Sequence, residues 1–280
     1  MQRTIFTEEH EQFRKMVRDF IEREVAPHRE EWDEAGHPPR EFFHRLGELG
    51  ILGVQVPEEY GGGGESSFKY NTIVFEEVSR AGVSFGAYTV HTCLILPYLL
   101  EYATEEQKKR WLPGFADGSI MTAIAMTEPG TGSDLANIAT SAKLSEDGTH
   151  YIVNGAKTFI TGGATADLVL TVCRTSPFDP ENRRGGLSII AVPTASEGFA
   201  VGRKLDKIGL HAQDTAELSY TDVKVPVENL LGEEGKGFEY LTHNLPQERI
   251  SIALNQVGFA EAAIAHAIAY TKERKVFGKP

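Results

Sequence analysis

The sequence predicts an α+β multidomain chain. Its parts are an N-terminal α-helical domain over residues 1–120, a middle antiparallel β-barrel or sandwich domain over 121–231, and the start of a C-terminal α-helical bundle domain over 232–280 that reads as truncated. Three textures predict this order. Through about residue 115, apolar residues recur at three-four spacing, the mark of amphipathic helices. From Met121 they fall into short apolar or alternating runs divided by turn residues, with no helical pattern between, as in an antiparallel barrel or sandwich and not a βαβ sheet. From Lys236 the helical spacing returns.

Thr7 is placed to cap a first helix whose opening turn carries Glu8 and Glu9, where acids suit the helix dipole. Phe13, Met16, Val17, Phe20, Ile21 and Val25 form its apolar face, and Pro27 is expected to stop it. A shorter helix is expected over 41–49, then a flexible turn at Gly61-Gly62-Gly63-Gly64. Helical spacing resumes around Ile73, Val74 and Val78 and again over 88–100. Thr104-Glu105-Glu106-Gln107 is a capping box, opening a helix expected to end near Leu112-Pro113. Strands are expected over 121–127, 139–144, 151–154, 158–161, 166–172, 187–192 and 216–223. In the last segment Pro246 removes the hydrogen bond its amide would give Thr242, so a kink or a restart is expected there. Residues 250–268 are apolar on nearly every face and demand enclosure. The pattern then breaks off as if inside a helical domain, so the cover would come from further chain or from a partner subunit.

Composition narrows the function classes. The chain has 280 residues, 41% apolar and 24% charged, an ordinary globular balance that excludes a disordered tail, a collagen-like fibre or a disulfide scaffold. Lys and Arg number 28 against 40 Asp and Glu, and the net charge of −12 has the wrong sign for nucleic acid or anionic lipid. Cys93 and Cys173, far apart in apolar surroundings, read as buried reduced thiols. No membrane span is expected, because residues 250–270 are interrupted by Asn255, Gln256, Glu261 and His266. Acidic residues stand where a signal peptide would have its apolar core. The expected address is the cytoplasm, or the mitochondrial matrix for a processed protein. The histidines, His91, His211 and His243 among them, lack a metal-binding spacing and read as satisfied or solvent-facing. No metal site is expected, and Asp214 reads as a turn carboxylate.

Two segments carry chemistry. In Thr127-Glu128-Pro129-Gly130-Thr131-Gly132-Ser133-Asp134, a dinucleotide fingerprint fails, because its third glycine would fall at Leu135 and a strand follows where a helix is needed. The segment does offer amides that a ligand can approach closely, with hydroxyls from Thr127, Thr131 and Ser133 nearby. Asn154-Gly155-Ala156-Lys157-Thr158-Phe159-Ile160-Thr161 sets a flat ring and a hydroxyl at a strand end. On the residues alone, a Pro-Gly turn and a hairpin with a core Phe are the plainer readings.

Taken together, Ala125-Met126-Thr127-Glu128-Pro129-Gly130-Thr131-Gly132-Ser133-Asp134, Asn154-Gly155-Ala156-Lys157-Thr158-Phe159-Ile160-Thr161, Asp222-Val223-Lys224-Val225-Pro226 and Glu273-Arg274-Lys275-Val276-Phe277-Gly278-Lys279 resemble the acyl-CoA dehydrogenases, in order and at family spacing, from about residue 5 to the end. The resemblance implies FAD, lined by Ile124, Met126, Thr127, Gly132 and Ser133 from the first segment and by Phe159, Ile160 and Thr161 from the second. Thr161 lies near the ring nitrogen that accepts hydride, and Phe159 replaces a Trp found in some members. It further implies that Arg274 and Phe277 reach the FAD of a neighbouring subunit in a homo-oligomer, a dimer of dimers. Ser133, Pro246, Gln247 and Arg249 would lie on the acyl-CoA side.

Many family members place their catalytic base beyond the region matched here. The isovaleryl and long-chain subset carries it on the helix after the β domain, and Leu245-Pro246-Gln247-Glu248-Arg249-Ile250 resembles the long-chain type, with Glu248 in the base position. Removing an α-proton from a thioester needs a carboxylate made more basic by desolvation, and the apolar helix around Glu248 can provide that. The plainer alternative is an ion pair of Glu248 with Arg249 or another cation near a helix start. The expected function is FAD-dependent α,β-desaturation of an acyl-CoA to a trans-2-enoyl-CoA in fatty acid metabolism, with electrons passed to an electron-transfer flavoprotein. The alternatives are an acyl-CoA oxidase and a flavin-free remnant that binds acyl-CoA or acts as a scaffold. Glu239 stands where long-chain relatives tend to have an aromatic, which leaves the acyl chain length open.

Overall fold

The computed structural model describes residues 4–279, so the outermost residues of the first and last expected domains lie outside the described residues. The chain has the expected fold class: an N-terminal helical region, a middle sheet and a C-terminal helix. Six helices come first: α1 (Glu8–Phe20), α2 (Arg29–Ala35), α3 (Arg40–Glu48), α4 (Lys69–Ala81), α5 (Leu96–Tyr102) and α6 (Glu105–Asp117). The expected face of α1 is inward at Val17 and Phe20, and the Thr7 amide donates to His10 Nδ1 at 3.2 Å. The Thr104 box forms as expected, with Gln107 N donating to Thr104 Oγ1 at 3.2 Å and Thr104 N to Gln107 Oε1 at 2.9 Å.

Two proline expectations need correction, and of the kink or restart expected at a third proline the restart does not occur. Pro27 does not simply end the first helix; a π-helical turn at Ile21–Val25 and a 3₁₀ turn at Ala26–His28 carry the chain into α2. Pro113 lies inside α6, where Trp111, Leu112, Phe115 and Ala116 are all buried around it. That burial outweighs the roughly 3 kcal/mol that an interior proline costs. Pro246 likewise lies within a single helix, α7 (Gly237–Glu273), which does not restart there. Leu241, Asn244 and Ser251 are buried on either side of it.

The middle region has eight strands: β1 (Thr122–Ala125), β2 (Ser141–Leu144), β3 (His150–Thr161), β4 (Leu168–Arg174), β5 (Leu187–Pro193), β6 (Phe199–Lys204), β7 (Thr215–Pro226) and β8 (Leu230–Leu231). Their order is β6-β7-β3-β2-β4-β5-β8, with β1 beside β4. Pairing is mostly antiparallel, but β1 runs parallel to β4 and β2 meets it in parallel at one point. The strand β4 is buried throughout and separates two cores. Leu168, Leu170 and Val172 face the helices with Tyr98, Leu112 and Phe115. Val169 and Cys173 face Val153, Leu218 and Tyr220 from β3 and β7.

Two expected strands, 151–154 and 158–161, are one long strand, β3, whose alternation is broken by register shifts between Val153 and Gly155 and between Lys157 and Ile160. Gly155 sits at a bulge; its φ of 154° and the collision a Cβ would make with Thr140 account for glycine there. The strand β6 escapes sequence reading because it is almost wholly exposed and lacks alternation.

The helix α7 begins tightly packed, a Cβ at Gly237 coming within 2.8 Å of the Leu187 carbonyl. Gly258 lets it approach α4, where a Cβ would lie 2.8 Å from that of Ser79. Ile252, Val257, Ile264 and Ile268 along α7 are exposed, so the described residues do not supply the cover that this apolar run calls for. By length and composition alone α7 is long and apolar enough to cross a membrane, contrary to the expectation above, and 11% of the relevant window is buried in the protein. Its first half is held instead by α4, α5 and β5.

Candidate active site

The two small-residue segments are joined by a buried ion pair. Lys157 Nζ donates to Glu128 Oε1 at 2.9 Å and to the Met126 carbonyl at 3.0 Å, with the Lys157 side chain 0% exposed. Glu128 also accepts from the Ala139 and Thr140 amides at 2.8 and 2.9 Å. Burial works against its charge, but the Lys157 ammonium and these amides prevail and hold its carboxyl below the usual range. The Thr158 amide donates to the Thr127 carbonyl at 2.9 Å, so the end of β1 and the middle of β3 are fixed side by side. The sequence alone assigns a role to neither residue of the pair, and the alternation of β3 does not single out Lys157.

Around this seam Ile124 and Ile160 are buried, Met126 is packed on the helix-facing core, Thr127 and Thr161 are half-buried, and Gly132 and Ser133 are exposed. Phe159 is not the core residue of the plainer reading: it is 67% exposed and held at φ 58°. Such backbone strain at an exposed ring is characteristic of ligand sites. Asp214, expected to serve a turn, does so in a distant one. It is buried and accepts from Ala164 N at 2.8 Å and Thr165 Oγ1 at 3.3 Å, bracing the chain after Thr161. Gly130 and Gly132 have open space where a Cβ would stand. An exposed flat wall at Phe159 and accessible backbone in the facing segment fit the planar ring of a flavin.

Glu248 lies on α7, facing α5. Tyr98 O–H donates to Glu248 Oε1 at 3.1 Å, and Tyr98 belongs to the same apolar core as Ile124, with Met126 packed against it. Burial lifts the Glu248 carboxyl above its ordinary range, against the opposing pull of the Tyr98 hydroxyl and the Arg249 guanidinium. Gln247 Nε2 donates to the Cys93 carbonyl at 3.0 Å. Pro97, four residues beyond Cys93, has no N–H to offer that carbonyl. Pro246 and Arg249 point to the surface. Ser133 lines a cavity of about 430 Å³ with Arg183, Arg184 and Phe238, which links the β1 segment to the start of α7. Arg183 pairs with Asp134 at 2.7 Å, and the Arg184 guanidinium lies 5.2 Å from the Phe238 ring centre. Within one chain Phe277 is fully exposed and Arg274 also lies at the surface, so Phe277 joins none of the other candidate residues. Glu239 is exposed and pairs with Lys236 at 3.0 Å.

His91 is a satisfied core histidine, as expected. Its Nδ1 accepts from Thr122 N at 3.2 Å, and its Nε2 lies 3.1 Å from the Phe115 carbonyl, which makes the Nε2–H tautomer the consistent one. Burial drives its pKa down from 6.5 to about 3. The unfolded chain then binds the extra proton between these values, so this contribution is complete above pH 6.5 and is lost as pH falls toward 3. We expect about 1.4 kcal/mol of stability lost per pH unit across that window from His91. Urea unfolding at pH 6.5 and 5 would measure it, and His91→Gln should flatten the slope.

The sequence matches three families: "Acyl-CoA dehydrogenase, N-terminal domain" over residues 7–119, "Acyl-CoA dehydrogenase, middle domain" over 123–223, and "Acyl-CoA dehydrogenase, C-terminal domain" over 235–280. It is 43% identical over 99% of its length to the long-chain specific acyl-CoA dehydrogenase, mitochondrial, of Sus scrofa, and spans 64% of that relative. The structure is similar to that of an acyl-CoA dehydrogenase from Geobacillus kaustophilus, with a TM-score of 0.95 and 47% identity over 99% of this chain and 72% of that one. It is also similar to an acyl-CoA dehydrogenase complexed with FAD from Bacillus anthracis, with a TM-score of 0.89 and 32% identity over 100% of this chain and 48% of that one.

Proposed function

The chain belongs to the acyl-CoA dehydrogenase family, and from that premise we propose that it is an FAD-dependent enzyme desaturating an acyl-CoA to a trans-2-enoyl-CoA, with Glu248 as base. The observation that carries this reading is the half-buried Glu248 carboxylate, held by a buried tyrosine on the core that also contains Ile124 and against which Met126 packs. Desolvation makes the carboxylate more basic, so it can take the α-proton of a thioester at neutral pH. Bound FAD supplies the acceptor for the β-hydrogen and its electron pair, and an electron-transfer flavoprotein then takes the electrons.

The residues that would hold the flavin are Ile124, Met126, Thr127, Gly132 and Ser133 from the β1 side, with Phe159, Ile160 and Thr161 from β3. Phe159 gives the ring a flat wall, and the Lys157–Glu128 pair keeps the two segments in register. Ser133 and the adjoining cavity suit the pantetheine end of the substrate, and Arg184 offers a cation to its phosphates. Pro246, Gln247 and Arg249 flank the acyl end. Arg274 and Phe277, exposed in one chain, would reach the flavin of a second subunit in a dimer of dimers. Cytoplasm or mitochondrial matrix suits the two free buried thiols.

The purified protein should be yellow, and an acyl-CoA should bleach it in the absence of oxygen. Steady peroxide production during turnover in air would instead favour an oxidase, and failure to take up flavin on reconstitution would favour an acyl-CoA-binding remnant. Because the base must be ionised, the turnover rate should fall on the acid side along a limb above the ordinary carboxylate range.

A further inference from the structure

Tyr98 and Glu248 are 150 positions apart in sequence, and no local pattern links them. The Tyr98 side chain is 0% exposed and locked into the apolar core on α5. A phenol buried that deeply loses its water and needs a partner. Its O–H donates to Glu248 Oε1, and the Asn244 side chain also acts on the hydroxyl. On α7, one turn before Glu248 and on the same face, Asn244 is 6% exposed and its Nδ2 has no partner among the described residues. Three polar groups thus meet between α5 and α7.

We propose that Tyr98 is a positioning residue for Glu248, its O–H holding one carboxylate oxygen so that the other, Oε2, is presented to the substrate's α-proton. The inference rests on the reading of Glu248 as the base. A free carboxylate would rotate about its terminal torsion and spread its two oxygens over many directions. The Tyr98 bond removes that freedom before substrate arrives, and preorganisation of this kind lowers the cost of reaching a reactive geometry. Because the bond favours the charged form, it also limits the rise in basicity that burial produces.

Other charged or titratable groups near this face are engaged elsewhere or set apart. From α7 itself, Arg249 acts on Glu248 through space, while His243 pairs with Glu101 of α5 at 3.4 Å. Tyr102 of α5 stacks on Tyr240 at 3.9 Å. The segment Val90–Ile95 contributes the buried Cys93 thiol, which burial keeps protonated with a pKa of about 12. On α4, Glu77 is bound by Arg14, Arg18 and Arg80 near Gly258.

The test is the pH profile of anaerobic flavin reduction in Tyr98→Phe. The acid limb should move to higher pH, with the rate down about tenfold on the acid side. On the alkaline plateau, where Glu248 is ionised in both proteins, the rate should stay below wild type because the preorganisation is lost, with KM little changed. A merely structural role would lower the rate by one factor at every pH and leave the limb in place, which would overturn the inference. If Tyr98→Phe fails to fold, 3-fluorotyrosine at position 98 keeps the packing and donates more strongly, so the limb should move to lower pH; an unmoved limb again overturns it. Infrared titration of the Glu248 carboxyl, assigned by its loss in Glu248→Gln, reads the same hydrogen bond without turnover. If that band moves in the variants but acyl-CoA never bleaches the wild-type flavin, the hold of Tyr98 on the carboxylate stands and the base reading falls. If bleaching occurs and neither limb nor band moves, the Tyr98 inference alone falls.

Discussion

Glu248→Gln is expected to slow reduction of the bound flavin by acyl-CoA by about 10²–10⁴-fold, the usual contribution of a general base. The amide keeps the size of the side chain and can still accept from Tyr98, so the fold and the flavin content should survive. What disappears is the lone pair that takes the α-proton. Burial, which raises the basicity of Glu248, has no counterpart in glutamine. Stopped-flow absorbance of the flavin under anaerobic conditions measures the loss. Glu248→Asp should fall between the two, because it retains the charge but withdraws it by one methylene from the position fixed by Tyr98.

Lys157→Met should give the largest loss of stability, about 3–5 kcal/mol, because it leaves Glu128 charged in a buried place without its cation. The Ala139 and Thr140 amides remain as donors to Glu128 and keep the loss within that range. Combining it with Glu128→Gln should restore about half of the loss, since the double variant removes the stranded charge. The same substitution frees the Met126 carbonyl from its donor and loosens the seam between β1 and β3. Flavin content after purification should therefore fall with the melting temperature. A variant that melts lower yet keeps full flavin would separate the pair from the cofactor site.

The sequence made much of the fold legible because local signals and packing agree. The Thr104 capping box formed as read, and the apolar runs at 187–192 and 216–223 lie within β5 and β7. Reading failed where packing overrides a local rule. Pro113 and Pro246 remain inside helices because the neighbouring turns bury large or well-fitted side chains. The alternation of β3 was hidden by bulges that shift its inward face, and β6 has almost no inward face at all. At the site, the two small-residue segments and Glu248 could be named from their resemblance to a family. Their physical basis could not be read from the sequence, because each tie joins residues far apart: Lys157 with Glu128, Tyr98 with Glu248, and Gln247 with the Cys93 carbonyl that Pro97 cannot serve. The exposed apolar face of α7 beyond Gly258, with Ile264 and Ile268, is left without cover by the described residues.

The most direct test isolates proton removal from electron transfer. In an acyl-CoA whose β-carbon is replaced by sulfur there is no β-hydrogen to lose, so exchange of the α-hydrogens with deuterium oxide reports the base alone. Mass spectrometry should find deuterium entering the α-position with the wild-type protein and no exchange above the uncatalysed rate with Glu248→Gln. Exchange at the wild-type rate in Glu248→Gln would contradict the assignment of Glu248 as the group that takes the proton.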